Sequence, residues 1–67
     1  MNNLQKPITK EKYNKLDPYS QGYICYMQAA WNKNISDENP YKEEEKAYYD
    51  WKDGNFQAML DCQDSEE

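Results

Sequence analysis

Aliphatic side chains are nearly missing from this chain. Leu4, Leu16, Leu60, Ile8, Ile24 and Ile35 are its only leucines and isoleucines, and there is no valine. A chain of 67 residues buries only about 60% of the surface its unfolded form exposes, so the shortage bears directly on whether it folds. Seven tyrosines, two tryptophans and Phe56 make up the difference. Each such ring buries about 150–250 Å². That is enough for one small domain, provided the tyrosine hydroxyls find partners or water. Disordered segments are poor in aromatics, so an ordered middle is expected, within a single domain spanning residues 1–67.

Small folds commonly lean on disulfides, a metal, a partner or a second copy. There are two cysteines and no histidine. The missing histidine removes the commonest metal ligand and the commonest general base near neutral pH. Two cysteines alone do not close a tetrahedral zinc site. No metal or cofactor is expected.

Helix signals recur along the chain. Thr9 is a capping residue, with Ile8 and Tyr13 at the two positions of a hydrophobic staple, so a short first helix is expected over residues 10–16. Asp17–Pro18 is a second start, with proline in the first turn, where its missing N–H costs nothing. Tyr19, Tyr23, Tyr26, Met27 and Ala30 then fall on one helical face, widened by Ile24 and Trp31. Residues 32–39 read as a polar loop. Asn39–Pro40 repeats the cap-plus-proline pattern, so a third helix is expected from Pro40 to about Cys62. The expected fold is all-α: a three-helix domain on an antiparallel hairpin over residues 18–62, ending in a disordered acidic tail over residues 63–67.

Gly22 and Gly54 both fall inside predicted helices, where each costs about 1 kcal/mol relative to alanine. They mark either helix breaks or a close approach of two backbones. A hairpin turning near residue 36 favours the second reading, with Trp51 and Ala58 completing the crossing. The same hairpin puts Cys25 opposite residue 47, about 15 residues or roughly 22 Å along the helix from Cys62. Both cysteines are therefore expected reduced, as small apolar core residues. The alternative is an intermolecular bridge through Cys62.

Charge is divided unevenly. Residues 1–17 hold four lysines and two acids, and residues 18–35 hold Lys33 alone. Residues 36–67 hold eleven acids against three lysines. There is no arginine. Phosphate neutralisation by Lys and Arg underlies nucleic-acid binding, so direct binding of nucleic acid is not expected. No apolar run reaches the roughly 20 residues of a membrane span. The N-terminus lacks signal-peptide regions, so a cytoplasmic location is expected.

Catalysis has little to draw on. Glu43, Glu44 and Glu45 stand on an exposed turn, where nothing would split their pKa values. Asp50–Trp51–Lys52–Asp53–Gly54 lacks the ligand alternation of a calcium loop. The chain has no nucleophile motif and no phosphate-cradling glycine loop. Binding is better served. Tyr41, Tyr48, Tyr49 and Trp51 stand among acids, and tyrosine and tryptophan dominate interface hot spots. Tyr41, Glu43, Glu44, Glu45, Tyr48, Tyr49, Asp50 and Asp53 are the candidate partner-binding residues.

Gly22–Tyr23, Asn39–Pro40–Tyr41 and the run Trp51–Lys52–Asp53–Gly54–Asn55–Phe56–Gln57–Ala58 together resemble the ribosome modulation factor family. The likeness covers roughly residues 19–60 and implies two helices packed closely at their glycines. It also implies ribosome association. That family's founding members are strongly basic, however, whereas this chain carries a net charge of −5. The leading functional expectation is a small inhibitory binder of the kind phages and mobile elements encode. It would occupy a basic, nucleic-acid-handling site on a host protein, such as a defence nuclease complex. A ribosome-associated hibernation-type factor is the runner-up, and an enzyme acting on a small molecule comes third. A second copy of the chain is also open as a partner.

Overall fold

The structure, a computed structural model, describes residues 6–65. It is all-α, with α1 over Lys10–Lys15, α2 over Pro18–Gln28 and α3 over Lys46–Ser65. Helix α1 starts where the capping signal stands. The Thr9 hydroxyl accepts from the Lys12 amide at 3.2 Å, and Ile8 packs on the buried cluster around Tyr13. It stops because Pro18 excludes helical backbone from the residue before it. Leu16 and Asp17 are accordingly extended, with ψ of 153° and 161°, and α2 begins at the proline.

Helix α2 ends at Gln28, three residues short of the expected Trp31. The amides of Trp31 and Asn32 both turn back onto the Gln28 carbonyl, at 3.1 and 2.7 Å. The Asn32 side chain then accepts from the Asn34 amide at 3.0 Å and turns the chain. The loop over residues 29–45 returns along α2. The Cys25 thiol donates to the Ser36 carbonyl at 3.2 Å, and the Tyr41 hydroxyl donates to Gln21 Oε1 at 2.5 Å.

Helix α3 starts at Lys46, not at Pro40. The Asn39 side chain accepts from the Tyr41 amide at 3.0 Å and donates to the Tyr48 carbonyl at 3.0 Å. An asparagine bonding two residues ahead makes a turn, not a helix cap. A single turn follows, closed by the Glu45 carboxylate accepting from the Lys42 amide at 2.8 Å. At its far end α3 runs on to Ser65, so the first three residues of the expected tail continue the helix. Residues 66–67 lie outside the described residues.

Helices α2 and α3 meet at the glycines. A Cβ on Gly22 would lie 2.8 Å from the Trp51 carbonyl carbon and 3.0 Å from the Asn55 amide nitrogen. A Cβ on Gly54 would lie 2.8 Å from the Tyr19 carbonyl carbon and 3.2 Å from its Cα. The two backbones therefore touch directly, and Asn55 adds a side-chain bond to the Gly22 carbonyl at 3.0 Å. Trp51 and Ala58 are buried on the same face of α3.

The expected antiparallel register is not the one observed. Tyr23 donates to Asp61 at 2.5 Å, and Cys62 lies 3.6 Å from the Met27 sulfur. An antiparallel pair touching at Gly22 and Trp51 would set Tyr23 near residue 50 and Met27 near residue 46. The C-terminal halves of both helices instead lie on the same side of the crossing. The returning loop explains this, because it brings the chain back along α2 before α3 begins. Cys62 is thus far nearer to Cys25 in the fold than the hairpin implied, although the two form no disulfide.

Amides complete the core that the aliphatics cannot fill. Gln21, Gln28 and Asn32 are only 4%, 2% and 4% exposed. Gln28 accepts from the Ile8 amide at 2.9 Å and donates to the Lys6 carbonyl at 2.9 Å. It pairs with the N-terminal segment as a neighbouring strand would. Asn32 donates to the Ile8 carbonyl at 3.0 Å and to Gln28 at 2.9 Å. Gln21 donates to the Tyr13 carbonyl at 3.0 Å, and Trp51 donates to the Tyr13 hydroxyl at 3.2 Å. Among the described residues no buried side-chain nitrogen or oxygen lacks a partner.

Two outcomes follow for stability. Gly22→Ala gains about 1 kcal/mol of helix propensity but drives a methyl into main-chain atoms that cannot rotate away. Overpacking of this kind costs about 1–3 kcal/mol or more, so the variant, like Gly54→Ala, should melt lower by circular dichroism. A raised midpoint would mean that the backbones are not in contact. Gln28→Ala removes the side-chain partner of the half-buried Ile8 amide and of the Lys6 carbonyl, at about 1 kcal/mol for each hydrogen bond. Hydrogen exchange should find the Ile8 amide protected in the parent chain and open in that variant.

Candidate protein-docking face

The outer face of α3 is set by its inner one. Residues advance about 100° around a helix, so Tyr49 lies roughly 200° from Trp51, and Phe56 roughly 200° from Gly54. Both rings must point away from α2. They are 55% and 57% exposed, the most exposed large hydrophobic residues among those described. Asp53 stands exposed between them and Leu60 is half-buried beyond. Glu43, Glu44 and Glu45 lie exposed on the turn just before α3, where the positive end of a helix dipole favours carboxylates.

The other candidate residues separate into groups. Tyr48 is half-buried, with its ring edge-on to Tyr49 at 5.1 Å and 83°. The Lys52 ammonium sits 5.3 Å from the Tyr48 ring centre, over its face. Asp50 is paired with Lys46 at 3.0 Å. Tyr41 is drawn into the fold by its hydroxyl bond to Gln21 and packs against the core cluster. Trp51 is core, at 6% exposed. Tyr49, Asp53 and the glutamate turn thus share the open end of α3, while Tyr41 and Trp51 hold the fold together.

Phe56 belongs with Tyr49 but is not among the sequence candidates. The signal was present: once Gly54 marks the inner face, a residue two positions on must face out. A second apolar patch, with Tyr26 and Trp31 at 42% and 49% exposed, surrounds the end of α2.

A groove of about 430 Å³ opens between α1 and the returning loop, lined in part by Lys10, Asn14, Glu38 and Tyr41. The Gln21 amide in its wall is engaged at both ends, by the Tyr13 carbonyl and the Tyr41 hydroxyl. Among the described residues no three His, Cys, Asp or Glu side chains gather as a metal site. No described helix is long and apolar enough to cross a membrane.

Among the described residues five ionisable groups depart from their ordinary behaviour: burial raises Tyr13, and the hydrogen bond from Ser20 lowers Asp17. Burial, followed by the charge of Asp37, pushes the Cys25 thiol up to about 11. The hydrogen bond to Asp61, followed by burial, pushes the Tyr23 hydroxyl up to about 12. Asp61 is held below its usual value by that same hydroxyl, then by Gln57. None of the five lies on the outer face of α3.

Comparison with protein families, with characterised proteins and with solved structures returns no match to this chain.

The titrations fix how stability varies with pH. An unfolded thiol ionises near 9.0 and an unfolded phenol near 10.0. In the folded chain Cys25 and Tyr23 hold their protons to about 11 and 12. Groups with raised folded values contribute fully below the unfolded value, and that contribution is lost as pH rises through the folded one. Asp61 has the opposite sense: its contribution is present above 3.8 and is lost as pH falls. The thermal midpoint should therefore drop between about pH 9 and 12. Tyr23→Phe should flatten the upper part of that drop, and a parent midpoint constant to pH 11 would contradict the assignment.

Proposed function

We propose that this chain is a small, non-enzymatic acidic binder that docks the outer face of α3 onto a basic surface of another protein. The observation that carries the reading is Tyr49, 55% exposed, beside exposed Asp53 and the turn of Glu43, Glu44 and Glu45. An aromatic ring flanked by carboxylates combines a hot-spot anchor with charges that steer encounter. Basic surfaces of this kind are typical of proteins that hold nucleic acid. By occupying one, the chain would exclude the nucleic acid and inhibit its host. A defence nuclease complex is the target class we favour, in keeping with a phage or mobile-element origin and action in the host cytoplasm.

A ribosome-associated modulation factor is the second reading. It is favoured by the approach of Gly22 to the Trp51 backbone and of Gly54 to the Tyr19 backbone, with Ala58 buried, the close packing that the sequence resemblance implies. The two readings differ in the sign of their charge dependence, because added lysines would strengthen attachment to ribosomal RNA.

Capture from host lysate followed by mass spectrometry identifies the partner, and binding kinetics then test the face. Glu43→Lys, Glu44→Lys and Asp53→Lys together alter exposed positions and spare Glu45, which closes the turn before α3. Association should slow about tenfold at low salt and change little at about 0.5 M, where charges are screened. Tyr49→Ala should leave association alone and speed dissociation, by about 30-fold if the ring contributes about 2 kcal/mol. Association rates equal to the parent's at every salt concentration would remove the acidic face from consideration.

A further inference from the structure

The N-terminal half of the chain, with five lysines against two acids over residues 1–35, carries the opposite charge. Two adjoining hollows lie beside α2, of about 310 and 350 Å³, and both are lined by Ile8 and Ile24. Leu16, Tyr19 and Tyr23 continue the apolar wall of one, while Lys6 and Lys12 stand at the edge of the other. Among the described residues no carboxylate lines either hollow. Tyr19 is 41% exposed there. This is an apolar groove with a lysine rim. The chain also carries its complement, an apolar stripe of Tyr49, Phe56 and Leu60 interrupted by Asp53, in the half where eleven acids face three lysines.

We propose that a second copy of the chain fills this groove, seating the outer face of its α3 against Ile8 and Ile24 with Asp53 toward the lysine rim. The contact joins two unlike patches, so it is heterologous. Net charge opposes it at long range, since each copy carries −5. At about 0.1 M salt the Debye length is about 10 Å, well below the 36 Å long axis of the fold. Repulsion between distant charges is then screened, and the local pairing at the rim survives. One outer helix face in one groove is an interface of the small class, under about 1,200 Å², so the association is weak and reversible. It goes beyond the partner reading but covers the same aromatic face, so self-association and partner binding exclude each other.

Sedimentation of the pure protein tests this without any partner, so the result is independent of whether the host target exists. Across about 0.01–1 mM at about 0.1 M salt, the average mass should climb from 8.1 kDa to at least twice that value. Raising salt to about 0.5 M should weaken association about tenfold. Phe56→Asp spoils the stripe and Lys12→Glu spoils the rim, both at exposed positions. Each variant alone should stay monomeric. Mixed, they should form a one-to-one heterodimer, because one keeps an intact groove and the other an intact stripe. Tyr49→Asp and Lys6→Glu repeat the pair at independent exposed positions, and circular dichroism confirms that each variant is folded. A parent protein monomeric at 1 mM overturns the proposal. So does self-association that survives either substitution, or a mixture that stays monomeric.

Discussion

Two helix backbones in direct contact leave no space for side chains between them, and that constraint shapes the rest of this molecule. At the crossing of Gly22 and Gly54 the usual layer of interdigitated hydrophobic residues is missing. What replaces it is short-range contact between main chains. The Gly22 Cα lies no more than about 3.4 Å from the Trp51 carbonyl oxygen, within the range of Cα–H···O contacts. The Tyr19 carbonyl meets Gly54 in the same way. The hydrophobic cluster is displaced to one side, where Tyr13, Cys25, Ile35 and Trp51 gather under the returning loop.

That displaced cluster is too small to seal itself, and buried amides finish it. A buried glutamine side chain loses about 1.5–2 kcal/mol of rotamer entropy, and each of its hydrogen bonds returns about 1 kcal/mol net. Gln28 makes bonds to Lys6, Ile8 and Asn32, so its balance is favourable only because it is fully satisfied. Tyrosine hydroxyls work in the same manner. Tyr13, Tyr23 and Tyr41 each bring an apolar ring whose polar end finds a partner within the fold. The cost of a core rich in aromatic and amide groups is that few of its members can be replaced singly.

How far the sequence could be read follows from this chemistry. Thr9 acts through a local hydrogen bond and Pro18 through local sterics, which are visible in a few residues of sequence, and each paired glycine shows as a residue unfavourable in the helix around it. Asn39–Pro40 carries the same local pattern, yet its asparagine bonds to Tyr41 and Tyr48 and makes a turn. Local pattern alone does not distinguish the two uses of asparagine. Gln21, Gln28 and Asn32 look like surface residues, and only their long-range partners identify them as interior. The register of α2 against α3 is set by how the loop returns, and that path depends on Cys25–Ser36 and Gln21–Tyr41 contacts with no periodic signature. The exposure of Tyr49 and of the glutamate turn was legible. That Tyr41 is held by the fold and that Phe56 stands open required the position of the crossing.

The amide clamp on the N-terminal segment bears on the order in which the chain acquires its shape. Every bond that Gln28 and Asn32 make to Lys6, Ile8 and Asn34 closes within residues 6–34, as does the bond from Gln21 to Tyr13. None of them involves α3. During synthesis, which proceeds from the N-terminus, this basic half has its polar ties available before the first residue of the acidic helix is made. What it lacks until then is the indole of Trp51 against Tyr13 and the backbone of α3 against Gly22. The two halves of the molecule differ in charge and in their means of cohesion, and the ribosome delivers them in sequence, the self-tied one first.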